Sequence, residues 1–483
     1  MPAAMTPIPK GCERLEDREK SLKLFVDEAK LQVPILEVNH QGFVSHRNLR
    51  SDAEVEEFFQ ADHSLDESGC TSPTGECRED PAYRAVYLLS ASSIRPLEIT
   101  PESLKWLLTY FQVMPGFLDF LYIFGNPTGM DPELKFSGFR THSVLSGPHK
   151  GLAIDAMNRS GLRYQMCYTL KGIERKDDGK EAGAGRMWKI RHGAFHHQFD
   201  VVKGTQLWIL GDQKLTLWNL GSGQLHGERK YPKHFSTFAQ RFKTSLDMHL
   251  SYCQWAALDW RWYICSSEDR AHQLTIPFLD GDITSEASVG PQTLVAVQAE
   301  EEAVNQIIMV LEANTDIVQK LRDFYHDLLK GGRFPIDDTE KSECDDTVKG
   351  FTAQLDEIIY DLNTQIARAR VLSKLITDRK NILIQHLQTQ AAARQENSAQ
   401  SMEGLAEKSA REAIATVFST DMVKYQIEVD DPNAPPERRS KLAIERFFQV
   451  SIPLMVFTFA MAALWYQYEK RRRRTSGRSK QLV

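Results

Sequence analysis

The chain has 483 residues, 42% of them hydrophobic, and a formal net charge of −6. That length holds two or three domains with a sizeable core, and the mild acidity gives no nucleic-acid signal. The seven cysteines are odd in number, widely scattered and without zinc-site spacing, so reduced thiols in a cytosolic or matrix-facing domain are expected. The opening residues lack an apolar h-region, so no secretory signal is expected.

Residues 1–80 read as an irregular N-terminal segment, with His63–Ala82 a Gly/Pro/Ser-rich loop. Thr100–Gly125 is apolar enough to mimic a membrane helix. Pro115-Gly116 breaks it, however, and Asp119 would sit in lipid without an obvious partner. Two short helices in an aromatic core are expected instead, the first capped by Thr100 with Pro101 in its first turn.

From about Gly161 to Gly221 the hydrophobic period shifts towards two. LRYQMCYTL, HHQFDVV and TQLWILGDQKLTLWNL are rich in β-branched and aromatic residues and read as a β-sheet. Gly204 is expected to turn one hairpin and Gly211-Asp212 another. His196, His197 and Asp200 invite a metal reading. Neighbouring strand residues face opposite sides, so the two histidines cannot easily meet one ion, and strand packing is preferred. A helical block follows from about Ser236 to Asp269, with Trp255, Trp260 and Trp262 as expected core anchors.

The last third is helical in character. Gln292–Leu329 contains no Gly or Pro, and Gly331, Gly332 and Pro335 end it. An acidic linker is expected over 334–347, including Asp337, Asp338, Asp345 and Asp346. Beyond it, Leu355, Ile359, Leu362, Ile366, Ala369, Leu372, Ile376, Leu383 and Leu387 recur at coiled-coil-like spacing. Some 65 residues at about 1.5 Å each make a rod of roughly 100 Å. Past Leu387 the face turns polar. Finally, Phe447–Tyr466 carries no charge over 20 residues and is followed by Lys470–Arg474, five consecutive basic residues. This reads as a membrane-spanning helix with a cationic stop.

In this order, FLDFLYIFG (Phe117–Gly125), FHHQFDVVKGTQLWIL (Phe195–Leu210) and LAEKSAREAIATVFSTDMVKYQ (Leu405–Gln426) resemble the CorA family of magnesium transporters, in its fungal CorA-like branch. The resemblance covers most of the chain after residue 80. It implies an α+β fold: an N-terminal α/β/α soluble domain at 81–290, long coiled-coil-like stalk helices at 291–418, a pre-membrane segment at 419–446, the transmembrane helix at 447–466 and a basic tail at 467–483. It also implies a homopentamer in a lipid membrane, with Mg2+ or another divalent cation as the transported or regulatory ion, and no further cofactor.

Two departures from the family pattern stand out. The Gly-Met-Asn entrance motif is absent, and Ser419, Thr420 and Asp421 stand in its place as pore-entrance candidates. Asn397, Ser398 and Gln400 are pore-funnel candidates, and Asp337, Asp338, Asp345 and Asp346 are weak metal candidates set against a solvated-loop reading. The second departure is the first membrane helix, where only AIATVF (Ala413–Phe418) stands in for about 20 apolar residues. A span reaching back to Ala399 would carry Glu403, Glu407, Lys408, Arg411 and Glu412 into lipid, at roughly 2.5–3.5 kcal/mol per central charge.

Three readings stay open. One is a CorA-like divalent-cation transporter. Another is a non-conducting, single-pass anchored scaffold that co-assembles with complete paralogues. The third is a gene model lacking the exon for the first helix. No P-loop, GxSxG, HExxH or paired-cysteine motif supports an enzyme.

Overall fold

In the computed structural model, the described residues are 24–60, 79–92, 95–125, 136–145, 153–175, 188–213, 235–279, 290–330, 338–419, 448–449, 451–461, 463–465 and 467. The chain divides into two units, Met1–Leu387 and Gln388–Val483.

The first unit is built on seven strands: β1 (Val33–Val38), β2 (Val44–Leu49), β3 (Tyr83–Ser90), β4 (Phe139–Val144), β5 (Arg163–Arg175), β6 (Trp188–Asp200) and β7 (Gln206–Gln213). They form one sheet in the order β2-β1-β3-β7-β6-β5-β4. The β3·β7 pair is parallel, and the other five pairs are antiparallel. The central strands are buried on both faces, β3 along its whole length and β5 from Tyr164 to Gly172, polar residues included. The edge strands β2 and β4 are largely exposed and carry polar residues.

Helices cover both faces. One face packs against α1 (Asp52–Gln60), α2 (Pro101–Tyr110) and the short α3 (Leu118–Leu121). The other packs against α4 (Phe238–Ala257), α5 (Trp260–Leu279), α6 (Pro291–Lys330) and the first part of α7 (Asp338–Ser419). Helix starts follow local chemistry. Thr100 caps α2, its side chain accepting from the Ser103 amide at 3.1 Å, with Pro101 in the first turn. Thr237 and Gln240 form a reciprocal capping box at the start of α4.

The broken reading of Thr100–Gly125 is what the chain adopts, and Asp119 has a partner that sequence did not supply, Arg140 at 2.7 Å. Gly204, at φ 67°, turns β6 into β7, its amide donating to the Asp200 carbonyl at 2.9 Å.

Four expectations need correction. Residues 1–80 are not irregular throughout, because β1, β2 and α1 lie within them and β1 pairs with β3 in the sheet. Gly211-Asp212 does not turn a hairpin, because both residues lie inside β7. A Cβ at Gly211 would meet Phe124 at 2.8 Å, so this glycine serves close packing under the helical layer rather than a turn. Trp262 is 57% exposed, with the Arg261 guanidinium over its ring, whereas Trp255 and Trp260 are buried as expected. The acidic linker is helical from Asp338 onward. Cys344, Val348 and Phe351 are buried there at helical spacing, so docking extends α7 through the acidic stretch. Trp218 and His63–Arg78 lie outside the described residues.

The α7 seam is as the spacing indicates. Leu355, Ile359, Leu362, Ile366, Ala369, Leu372, Ile376 and Leu383 are all buried in the larger core. Polar contacts flank it: Arg322–Asp356 at 2.6 Å, Arg370–Glu312 at 2.6 Å and Ser373–Asn305 at 2.8 Å join α7 to α6. Arg368–Glu268 and Arg379–Thr275 join it to α5.

One polar contact ties α6 to the sheet. Asn314 is fully buried; its amide donates to the Lys171 carbonyl at 2.7 Å, and its oxygen accepts from the Lys171 amide at 3.0 Å. The β4 pairing of β5 covers only Arg163–Tyr168. Past that point no strand among the described residues pairs with β5 on this side, and the Asn314 carboxamide takes the strand's place.

Candidate functional site

The residues singled out for ion conduction fall on the second unit and its margins. Gln388–Ser419 continues as α7, with side chains exposed from Ala391 to Ala413. Asn397, Ser398 and Gln400 lie on this exposed stretch, and the Asn397 carbonyl accepts from the Ser401 hydroxyl at 2.8 Å. Glu407 and Arg411 pair one turn apart at 2.6 Å. Ser419 is the last residue of α7, while Thr420 and Asp421 lie outside the described residues.

Beyond them, residues 448–449, 451–461, 463–465 and 467 are helical. Ile452, Leu454, Met455, Val456, Phe457 and Phe459 are each more than half exposed. The Thr458 hydroxyl is satisfied within the helix by the carbonyls of Leu454 and Met455, at 3.0 and 2.9 Å. Among the described residues, no helix is long and apolar enough to cross a membrane.

The weak acidic candidates gain no cluster. Asp337 lies outside the described residues, Asp338 opens α7, and Asp345 and Asp346 lie on α7 with Asp346 paired to Lys349 at 2.8 Å. No group of three or more His, Cys, Asp or Glu among the described residues is arranged to hold a metal ion.

The histidines of β6 face opposite layers. His196 packs beside Phe117 under the α2–α3 layer. His197 stacks on Trp208 at a 4.2 Å centroid separation under the α4 layer. There it meets His249 of α4, which the sequence reading missed. His249 Nε2 lies 3.0 Å from His197 Nδ1, and His249 Nδ1 lies 2.8 Å from the Tyr168 hydroxyl. Burial holds all three imidazoles neutral: it pushes His196 down to about 3, helped by the Arg163 charge, and holds His197 and His249 well below the ordinary value. Asp200 anchors the β6–β7 turn instead, accepting from the Ser160, Val202 and Lys203 amides. The local signal for His249 was its place in an apolar helical run, SLDMHLSYCQW, where a buried imidazole needs a partner.

The family model described as CorA-like transporters matches residues 8–278, more than half of the chain. The chain therefore belongs to the CorA-like transporters. The match ends before α6 begins. No curated protein sequence matches the chain significantly.

Among solved structures, the soluble domain of CorA from Methanocaldococcus jannaschii is similar at 11% identity and a TM-score of 0.33, over 63% of this chain and 89% of that one. The complete CorA magnesium transporter of the same organism matches at 11% identity and a TM-score of 0.35, over 88% and 96% of the two chains. The full-length CmaX protein matches at 12% identity and a TM-score of 0.36, over 92% and 99%.

Proposed function

We propose that the protein is a membrane protein that moves divalent cations, Mg2+ foremost, across a lipid bilayer as a homo-oligomer. One observation carries the reading: in a chain of the CorA-like transporter family, a helical stretch over 451–461 leaves its large apolar side chains more than half exposed. Apolar surface of that extent is costly in water and stabilised in hydrocarbon. In this reading Phe447–Tyr466 is the transmembrane helix, residues 467–483 are its basic tail, and 81–290 and 291–418 are soluble domain and stalk. Ser419, Thr420 and Asp421 stand at the pore entrance, and Asn397, Ser398 and Gln400 line the funnel. Mg2+ gives up its water reluctantly, which suits amide and hydroxyl oxygens that hold a hydrated ion.

The test is reconstitution of the purified full chain in liposomes, with divalent flux read by an entrapped dye. Mg2+-dependent flux that falls in Asp421→Asn supports the reading. No flux from the reconstituted chain, beside flux from a two-helix relative in the same vesicles, overturns it in favour of a non-conducting anchored scaffold.

A further inference from the structure

A small half-open cleft lies where β3, β5 and β7 begin and β6 ends, far in sequence from α7 and the apolar C-terminal helix. Arg84, Arg159, Arg163, Gln198, Asp80 and Asp200 line it. Its volume is about 30 Å3, on a scale where one water needs roughly 10–15 Å3. That admits one small polyatomic group, with anything attached to it left outside the mouth.

The three guanidinium groups are not equivalent. Arg84 is buried between the rings of Phe58 and Phe111 and bonds Glu37 at 2.8 Å and Asp80 at 3.1 Å, yet its Nη2 is buried without a partner. Arg159 is satisfied by Asp80 at 2.5 Å and the Tyr110 carbonyl at 2.8 Å. Arg163 is partly buried and has no hydrogen-bond or ion-pair partner among the described residues. Burial, and then the neighbouring Arg159 charge, push its pKa down to about 10 against the smaller opposing pull of the Asp200 carboxylate.

The two acids are already engaged. Asp80 is shared by Arg84 and Arg159. Asp200 accepts from the Ser160 amide and hydroxyl, at 2.8 and 2.7 Å, and from the Val202 and Lys203 amides, at 3.0 and 2.9 Å. Gln198 Oε1 is buried without a partner, and its carboxamide can present either end to a ligand. The cleft thus holds more fixed donors than its own acceptors use, and the planar fork of an arginine matches the edge of an oxyanion.

We propose that this cleft binds the phosphate group of a small phosphate-bearing ligand, with Arg163 as the principal contact and Arg84 and Gln198 as supporting donors. The alternative is an Arg163 that is merely solvated at the mouth.

Thermal unfolding of the purified full chain in detergent separates the two. Inorganic phosphate and AMP are titrated separately, against chloride at equal ionic strength. A saturable rise in Tm of roughly 2–4 °C is expected. Its appearance with inorganic phosphate identifies the free anion, and with AMP alone a phosphomonoester. Arg163→Ala should keep or slightly exceed the wild-type Tm without ligand and lose the rise. Arg163→Lys, which keeps charge without the fork, should retain part of it. The proposal is overturned if neither anion shifts Tm beyond chloride, if the shift survives in Arg163→Ala, or if Arg163→Ala lowers the ligand-free Tm by several degrees. The readout is independent of cation flux, so either reading can fail alone.

Discussion

His249 Nε2 and His197 Nδ1 lie 3.0 Å apart inside the core, with one hydrogen between two imidazoles. One ring must donate and the other accept, and burial keeps both neutral.

Acid should therefore unfold this protein through its histidines. Their folded-state pKa values are depressed, so the unfolded chain takes up protons that the folded chain refuses. Stability is complete above the unfolded value of about 6.5 and is lost as pH falls below it. For His196 the loss continues to about 3. Each such histidine costs a factor of about ten in the folding constant per pH unit. Urea unfolding at pH 7.5, 6.5 and 5.5 should show a midpoint that falls steeply only at the lowest pH. His196→Phe, beside Phe117, should flatten that fall. A midpoint constant across the series would rule out this account.

Glycine substitutions should have opposite signs at two sites. Gly211→Ala drives a methyl into Phe124 and Ala194, and overpacking of that kind costs about 1–3 kcal/mol. Gly350→Ala, on α7, meets nothing within 4 Å and should stabilise by roughly 0.5–1 kcal/mol. Chemical denaturation of both variants reads the contrast, and two changes of the same sign would contradict it.

Adjacent α7 residues should also diverge. Leu372 is 3% exposed and Val371 is 71% exposed. Leu372→Ala should cost about 2–5 kcal/mol, whereas Val371→Ala should stay within about 0.5 kcal/mol. Similar losses at both positions would show that the seam is not the stabilising face.

The apolar C-terminal helix can be tested by charge. Phe457→Lys places an ammonium near the centre of Phe447–Tyr466, at about 2.5–3.5 kcal/mol for insertion. Resistance to alkaline extraction from membranes should fall in this variant and persist in Phe457→Leu. Equal extraction of both would argue against a spanning segment.

The elements with the strongest period were legible in sequence. The α7 seam and the break at Pro115-Gly116 follow from residues within a few positions of one another. Gly211 was misread because a glycine inside a strand and a glycine in a turn look alike without the Phe124 ring above it. Trp262 was misread because a tryptophan's size does not say which face of its helix it occupies. The arginine cleft left no trace at all. Arg84 is remote in sequence from Arg159 and Arg163, and only the sheet register brings them to one rim.

Asn314 gives the β5 strand an unusual reporter. The Lys171 amide hydrogen is held by a side chain on α6 rather than by another strand. Its exchange with deuterated solvent should therefore time the lifting of α6 from the sheet, while the amides of Met166 and Tyr168, within strand pairing on both sides, time the parting of the strands. One backbone position thus separates two opening events that a single melting curve would merge.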